Sequence, residues 1–231
     1  MKKLIKKWTA LWEKMRLFFR RNQDKIDYVD GIPFSNPILI NGMAIAPAVV
    51  ATQSLQASVI LSVGFAVIVI PTVMLMFLLY DKINESRRTI VAALIASIMF
   101  VVLAYGMRTI MPYTSSVVGL YLPILIVDPI ILSKTEEFWE LGAGKLRLLV
   151  ELVFHSLGFA LVVCFVGFIR EMLAYGTIWG VPIGFTIAKS TVALPFFGFM
   201  MLAFLAACVR FLTRKFYHWI NKKGEEEVSN G

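Results

Sequence analysis

Six apolar segments follow one another along the chain, between a basic N-terminal stretch and a charged C-terminal tail. A helix needs about 20 predominantly apolar residues to cross the hydrocarbon core of a bilayer. The second, third, fifth and sixth segments reach that length, whereas the first and fourth are shorter. The pattern predicts an all-α integral membrane protein with six transmembrane helices near 36–54, 58–80, 89–111, 117–133, 151–173 and 191–212.

The two short segments each contain two prolines: Pro37 and Pro47 in the first, Pro123 and Pro129 in the fourth. Proline inside a helix removes a backbone hydrogen bond and clashes with the preceding turn. In hydrocarbon such a break persists only where neighbouring protein or water satisfies the freed carbonyls. We therefore expect broken helices that are buried against the rest of the bundle.

The residues on either side of the six-span domain, 35–212, are rich in charge. Residues 1–34 alternate aromatic and aliphatic side chains with Lys and Arg at helical spacing, which predicts an amphipathic helix lying on the cytoplasmic membrane surface. Docking on a partner helix is the alternative. Residues 213–231 are expected to form a charged cytoplasmic tail.

Charge distribution predicts the topology. The net charge is +8, which alone would invite a nucleic-acid partner. However, 20 of the 23 Lys and Arg residues fall in or beside stretches that six spans would place on one side, namely 1–35, 81–88, 134–150 and 213–231. Because cytoplasmic loops carry the excess of basic residues, we expect a multi-pass protein of the cell (inner) membrane with both termini cytoplasmic, and no nucleic acid.

The second and fifth spans contain a similar octamer, at Ser62–Val69 and at Ser156–Val163, offset by 94 residues. Pro47 and Pro129 in the short segments are related by a shift of 82 residues. Three spans per repeat is an odd number, so the halves would lie in opposite orientations. The sequence predicts an inverted repeat over about 35–111 and 117–212, and short interrupted segments at equivalent positions indicate a midplane site.

Asp128 is the candidate for an ion or proton site, because a carboxylate in an apolar membrane segment is expensive and is often functional. Its alternative role is to cap a half-helix that starts at Pro129. Arg170 and Glu171, at the end of the fifth span, form a candidate interfacial ion pair. Since no loop is long enough to hold a soluble catalytic or nucleotide-binding domain, any chemistry on a soluble substrate is expected to belong to partner subunits.

The chain resembles the NqrD/NqrE and RnfA/RnfE membrane subunits of the Na⁺-translocating NADH:quinone oxidoreductase and Rnf complexes, and is most similar to the NqrD/RnfE branch. The resemblance extends from about residue 35 to residue 212. It is carried by Asn36–Leu39, Ala46-Pro47 and Ala51-Thr52, by Gly119–Pro123, by Gly158-Phe159, Gly167–Glu171 and Gly176-Thr177, and by Leu194-Pro195.

The resemblance implies six spans in two inverted repeats, and a paralogous NqrE/RnfA-like membrane subunit as partner. In that family each subunit supplies two cysteines, from the first and fourth short segments, to a 2Fe–2S cluster at the midplane. The equivalent positions here are Ala46 and Pro129, with Asp128 where the family usually has Asn. Cys164 and Cys208 lie in other spans and do not match the ligand positions.

These departures leave two functions open. The first is a membrane subunit of an Nqr/Rnf-type complex that couples electron transfer to Na⁺ or H⁺ translocation without binding its own cluster. The resemblance then implies flavin on partner subunits that handle NADH or ferredoxin, and a 2Fe–2S cluster at a subunit interface only if ligands come from elsewhere. The second is a redox-free cation- or proton-coupled transporter or channel that uses Asp128.

Overall fold

The computed structural model describes residues 36–110, 121–142, 144–184 and 190–229, so the amphipathic helix predicted for residues 1–34 lies outside the described part. The described residues are mostly helical. In chain order the helices are α1 (Ile45–Val50), α2 (Leu55–Leu79), α3 (Glu85–Ile110), α4 (Ile130–Glu140), α5 (Lys145–Tyr175) and α6 (Pro195–Ser229). Short 3-10 segments occupy Tyr80–Lys82, Leu122–Val127 and Ser190–Ala193, and two strands, β1 (Thr177–Ile178) and β2 (Val181–Pro182), pair antiparallel.

Within the described residues, four helices are long and apolar enough to cross a membrane, and they are the four that the segment lengths predict. Their spanning parts are Leu55–Lys82, Glu85–Thr109, Lys145–Tyr175 and Pro195–Phe216. Large apolar side chains remain exposed along α3 and α6. In a bilayer those faces contact hydrocarbon or other membrane helices rather than water.

The first and fourth segments are broken, as their prolines predict. Pro47 occupies the first turn of α1, where proline is tolerated because the missing N–H has no intrahelical acceptor. In the fourth segment a 3-10 run containing Pro123 ends before Asp128, and α4 starts directly after Pro129. Proline thus fixes where each short helix begins.

The core is built around the crossing of α2 and α5. The rings of Phe65 and Phe159 stack with centroids 4.0 Å apart and planes 10° from parallel. Nearer the start of α2, Ser58 lies so close to Gly167 that a Cβ at that glycine would collide with the serine hydroxyl. Residues that come earlier in α2 therefore meet residues that come later in α5, and the two helices run antiparallel.

Asn36 connects the first segment to this core through hydrogen bonds. Its side-chain amide donates to the carbonyl of Gly158 on α5 at 2.8 Å, and its side-chain oxygen accepts from the backbone N–H groups of Ile38 (3.0 Å) and Leu39 (3.2 Å). Pro37, next to it, lies in the turn that this oxygen closes. One buried side chain thereby closes the turn and ties it to a membrane-spanning helix.

Two helices extend beyond the apolar segments from which the spans are predicted. α6 continues without a break past residue 212 to Ser229, so the backbone of the charged tail extends the last span. α4 continues to Glu140, so Lys134 lies within a helix rather than in a cytoplasmic loop. Hydropathy marks where a helix leaves the hydrocarbon, but backbone hydrogen bonding continues beyond that point.

Candidate functional site

Asp128 lies where the beginnings of two short helices meet. Its Oδ2 accepts a hydrogen bond from the backbone N–H of Ala44, at the start of α1, over 2.9 Å. Its Oδ1 accepts from the backbone N–H of Ile130, the first residue of α4, over 3.1 Å. Helix N-termini carry N–H groups without intrahelical acceptors and partial positive charge. The carboxylate therefore satisfies both helix starts and links the two broken segments.

Local backbone geometry brings these groups together. Ala44 adopts a left-handed conformation with φ +55°, which turns the chain sharply into α1 and directs its N–H at Asp128. Asp128 itself is extended (φ −69°, ψ 134°), as expected for a residue that precedes proline. The bond from Ile130 is the contact expected from the capping alternative for Asp128.

Arg170 is fully buried in α5, with 0% of its surface exposed. Its guanidinium donates to the carbonyl of Val49 (2.6 Å) and the hydroxyl of Thr52 (3.0 Å) at the end of α1, and to the carbonyl of Ala193 (2.8 Å) before α6. Longer bonds reach Val192 O (3.4 Å) and Leu194 O (3.3 Å). Since carbonyls at a helix C-terminus lack intrahelical donors, Arg170 satisfies the ends of two separate chain breaks at once.

Glu171 faces another group of donors, and the ion pair predicted with Arg170 is not formed. Its carboxylate accepts from the backbone N–H of Leu55 at the start of α2 (2.7 Å), from the backbone N–H of Gly180 (2.7 Å) and from the Thr177 hydroxyl (3.0 Å). Neighbours on a helix point about 100° apart. Within the described ranges, the ion pairs at 4.0 Å or less do not include Arg170 with Glu171.

A buried ionisable cluster that sequence reasoning missed lies between α4 and α5. Lys134 is 3% exposed, and its amino nitrogen lies 2.7 Å from a Glu137 carboxylate oxygen and 3.7 Å from one of Glu151. His155 is also buried, with Nδ1 3.0 Å from the Glu151 carbonyl oxygen. Its Nε2 is buried with no hydrogen-bond partner among the residues that the structure describes.

A signal for this cluster was present in the sequence. Ile130, Ile131, Lys134 and Phe138 have the spacing of one helical face, and all four are buried. The carboxylate of Glu137, three residues after Lys134, is within reach on the same helix. Both the shared buried face and the Lys134–Glu137 spacing apply only if the helix continues past residue 133, whereas the sequence predicts a loop there.

With this arrangement established, comparison with known proteins identifies the family. Residues 27–206 match the family described as Rnf-Nqr subunit, membrane protein. The chain belongs to the Rnf-Nqr family of membrane subunits. The match covers the described helices from α1 to residue 206, in the first half of α6.

Among its relatives, this Rnf-Nqr chain is similar to the NqrD subunits of Na(+)-translocating NADH-quinone reductases. It is 24% identical to that of Pseudoalteromonas translucida over 149 residues, which are 64% of this chain and 70% of the relative. It is 23% identical to that of Haemophilus ducreyi over 153 residues (66% and 73%) and 21% identical to that of Yersinia pestis over 161 residues (70% and 77%). The resemblance to the NqrD/RnfE type is thus confirmed.

The two positions expected to match the ligands of the Rnf-Nqr cluster carry side chains that do not bind iron. Ala46 lies in α1 and Pro129 directly precedes α4, and both are exposed on the surface of the chain. Thiolate ligation is needed at such positions, so these residues do not fit a 2Fe–2S cluster. Cys164 and Cys208 are half-buried free thiols in α5 and α6, and no group of three or more potential metal ligands occurs within the described ranges.

Proposed function

We propose that this protein is a membrane subunit of an Nqr/Rnf-type complex that couples electron transfer to translocation of Na⁺ or H⁺. The observation that carries the proposal is the family match over residues 27–206, together with relatives named as NqrD subunits of a Na⁺-translocating NADH-quinone reductase. The meeting of two short helices at Asp128 supports it, because broken helices at a membrane midplane are typical of ion-handling subunits. The subunit itself performs no chemistry on a soluble substrate.

We propose further that α1 to α3 and α4 to α6 belong to two inverted repeats, with the short first and fourth segments as interrupted spans. Phe65 and Phe159, separated by the 94-residue offset, stack on each other, as expected near a pseudo-twofold axis. Ser62 and Ser156, a pair at the same offset three residues earlier, line one groove of about 240 Å³. An antiparallel crossing of equivalent helices supports opposite orientations of the halves.

The orientation proposed from the basic residues places both termini in the cytoplasm of a cell-membrane protein. Reporter fusions after the N-terminus, after Glu140 and after Gly184 would test it. We expect cytoplasmic signals from the first two and an external signal from the third. A cytoplasmic signal after Gly184 would contradict the six-span topology.

We propose that the chain binds no Fe–S cluster of its own, because Ala46 and Pro129 lack ligand atoms. The test is to measure iron, acid-labile sulfide and the EPR spectrum of the reduced complex, purified with its native partners. Variants A46C, P129C and the double variant provide the matched comparison. A stoichiometric 2Fe–2S signal that depends on this chain in the unsubstituted complex would contradict the proposal.

The proposed partners are a paralogous NqrE/RnfA-like membrane subunit, and subunits that carry flavin and handle NADH or ferredoxin. Affinity purification of the full chain from native membranes in mild detergent would test this assembly. We expect covalently or tightly bound flavin to co-purify in fixed ratio with the chain. Recovery of the chain in an intact assembly free of flavin proteins would count against an electron-transfer complex.

Redox-free ion transport through Asp128 is the second candidate. Both carboxylate oxygens already accept backbone N–H groups, which favours a role in linking helices. Its carboxylate oxygens still have lone pairs that could accept a cation or a proton, which supports a role for Asp128 in ion transport. Ion flux in reconstituted vesicles that is unchanged by D128N would exclude it.

A further inference from the structure

A two-residue β-turn directly after α5 holds a tryptophan in a strained conformation. β1 and β2 pair through Thr177 with Pro182 and Ile178 with Val181, and Trp179-Gly180 forms the turn between them. Both turn residues have positive φ, +57° and +77°. Tight hairpin turns of this kind favour Asn, Asp or Gly, and a bulky residue in the left-handed region is an outlier.

The strained turn is held in place by a buried carboxylate and a half-buried side-chain amide rather than by its own sequence. Glu171, 2% exposed, accepts hydrogen bonds from the backbone N–H of Gly180 (2.7 Å) and the hydroxyl of Thr177 (3.0 Å). The side-chain amide of Gln56 on α2 donates to the Trp179 carbonyl (3.3 Å). Two membrane-spanning helices therefore fix the position at which this turn presents its side chain.

The surface of the hairpin is apolar and uncharged. Tyr175, Trp179, Val181 and Ile183 are 52%, 45%, 62% and 42% exposed. Residues 172–188 contain no Asp, Glu, Lys or Arg. An exposed apolar patch of this kind indicates a contact with a membrane or another protein, and strain retained at one position indicates that its side chain has a task.

The geometry points to a contact with lipid: the hairpin is an interfacial anchor that seats Trp179 in the headgroup layer of the leaflet at the C-terminal end of α5. The patch is continuous with the membrane-facing surface, because Tyr175 is the last residue of the spanning helix. Indole and phenol rings prefer this layer, where an apolar body and a polar tip are both satisfied. The absence of charge fits burial at that depth.

The experiment measures the depth of the hairpin in nanodiscs that contain the full chain with its partner subunits. Cys164 and Cys208 are replaced by alanine, and a fluorophore is attached through V181C. Quenching is compared among phosphatidylcholines brominated near the headgroup, phosphatidylcholines brominated near the chain ends, and iodide in the buffer. L157C, on the exposed middle of α5, is the matched reference for a deep position.

We expect the Val181 probe to be quenched most by bromine near the headgroup, and the Leu157 probe most by bromine near the chain ends. W179N keeps a residue that tolerates positive φ and should shift the Val181 probe toward iodide quenching while the thermal midpoint is maintained. Iodide quenching without bromolipid quenching in the unsubstituted chain would overturn the proposal, as would protection from all three quenchers, which would indicate a protein contact. An unchanged depth in W179N would also overturn it.

Discussion

Replacing Arg170 by methionine removes the guanidinium that satisfies both the end of α1 and the turn before α6, while keeping an unbranched side chain in the core. The two shortest bonds go to the carbonyls of Val49 and Ala193, at 2.6 and 2.8 Å. After the substitution, the buried carbonyl of Val49 and the half-buried carbonyl of Ala193 lose these donors. The hydroxyl of Thr52 keeps its own bond to Ala48 O at 2.6 Å and is less affected.

The expected magnitude follows from those two acceptors. Leaving a buried polar group without its partner costs about 1 to 3 kcal/mol, so R170M should lower the free energy of unfolding by about 2 to 6 kcal/mol. At 1.4 kcal/mol per factor of ten, the midpoint of about 4 kcal/mol corresponds to roughly a thousandfold change in the unfolding equilibrium. R170K should recover only part of this, because an ammonium lacks the planar fork that reaches several carbonyls.

Unfolding in SDS titrations from mixed micelles provides the free energy, and amide hydrogen exchange provides the location. We expect faster exchange near residue 50 and in the first turn of α6, which depend on the same side chain. R108M is the matched control, because Arg108 is an exposed cation at the end of α3. Unfolding free energies for R170M and R108M that agree within about 0.5 kcal/mol, the usual range for surface substitutions, would refute the argument.

Three further predictions follow from close contacts in the core and at the helix starts. D128N should lower the free energy of unfolding by about 1 to 2 kcal/mol, because one carboxamide oxygen replaces two accepting oxygens. Faster hydrogen exchange of the Ala44 and Ile130 amides would verify this mechanism. G167A should cost about 1 to 3 kcal/mol by overpacking against Ser58; S58G should restore SDS stability, and no rescue would contradict the clash. K134M should destabilise by about 3 kcal/mol by leaving Glu151 without its cation, and the double variant with E151Q should cost less than the sum of the single changes.

The sequence predicts the four long apolar helices, because hydropathy is a local property that each segment carries alone. The four long helices and the proline breaks follow from composition and proline stereochemistry, and capping is one of the two roles that the sequence leaves open for Asp128. The partners of Arg170 do not, because four of the five are main-chain carbonyls more than 20 residues away in the chain, which no side-chain pattern records. The sequence pairs Arg170 with Glu171 by adjacency, but on a helix adjacency places two side chains on different faces.

The buried position of Lys134 is a second difference with a physical reason. A lysine after an apolar run is usually read as the end of the membrane segment. Here α4 continues, and a carboxylate from α5 joins one from α4 beside the ammonium. The two carboxylates replace water as partners of the Lys134 ammonium. Because one of them comes from another helix, the sequence of α4 alone does not reveal the contact.

The acceptors of Arg170 have a consequence for how this protein tolerates mutation. Four of its five partners are main-chain oxygens, which every amino acid at those positions would also supply. The dependence is therefore one-sided: substitutions at Val49 or at residues 192–194 keep the acceptor, whereas substitution of the arginine removes every bond together. A saturation library should record near-neutral scores at residues 192–194, which are half-buried or exposed, and a sharp loss at Arg170; substitutions at Val49 are limited by the packing of its buried side chain and not by its carbonyl. The residues at both chain breaks can therefore change while Arg170 keeps the two breaks bonded to the same side chain.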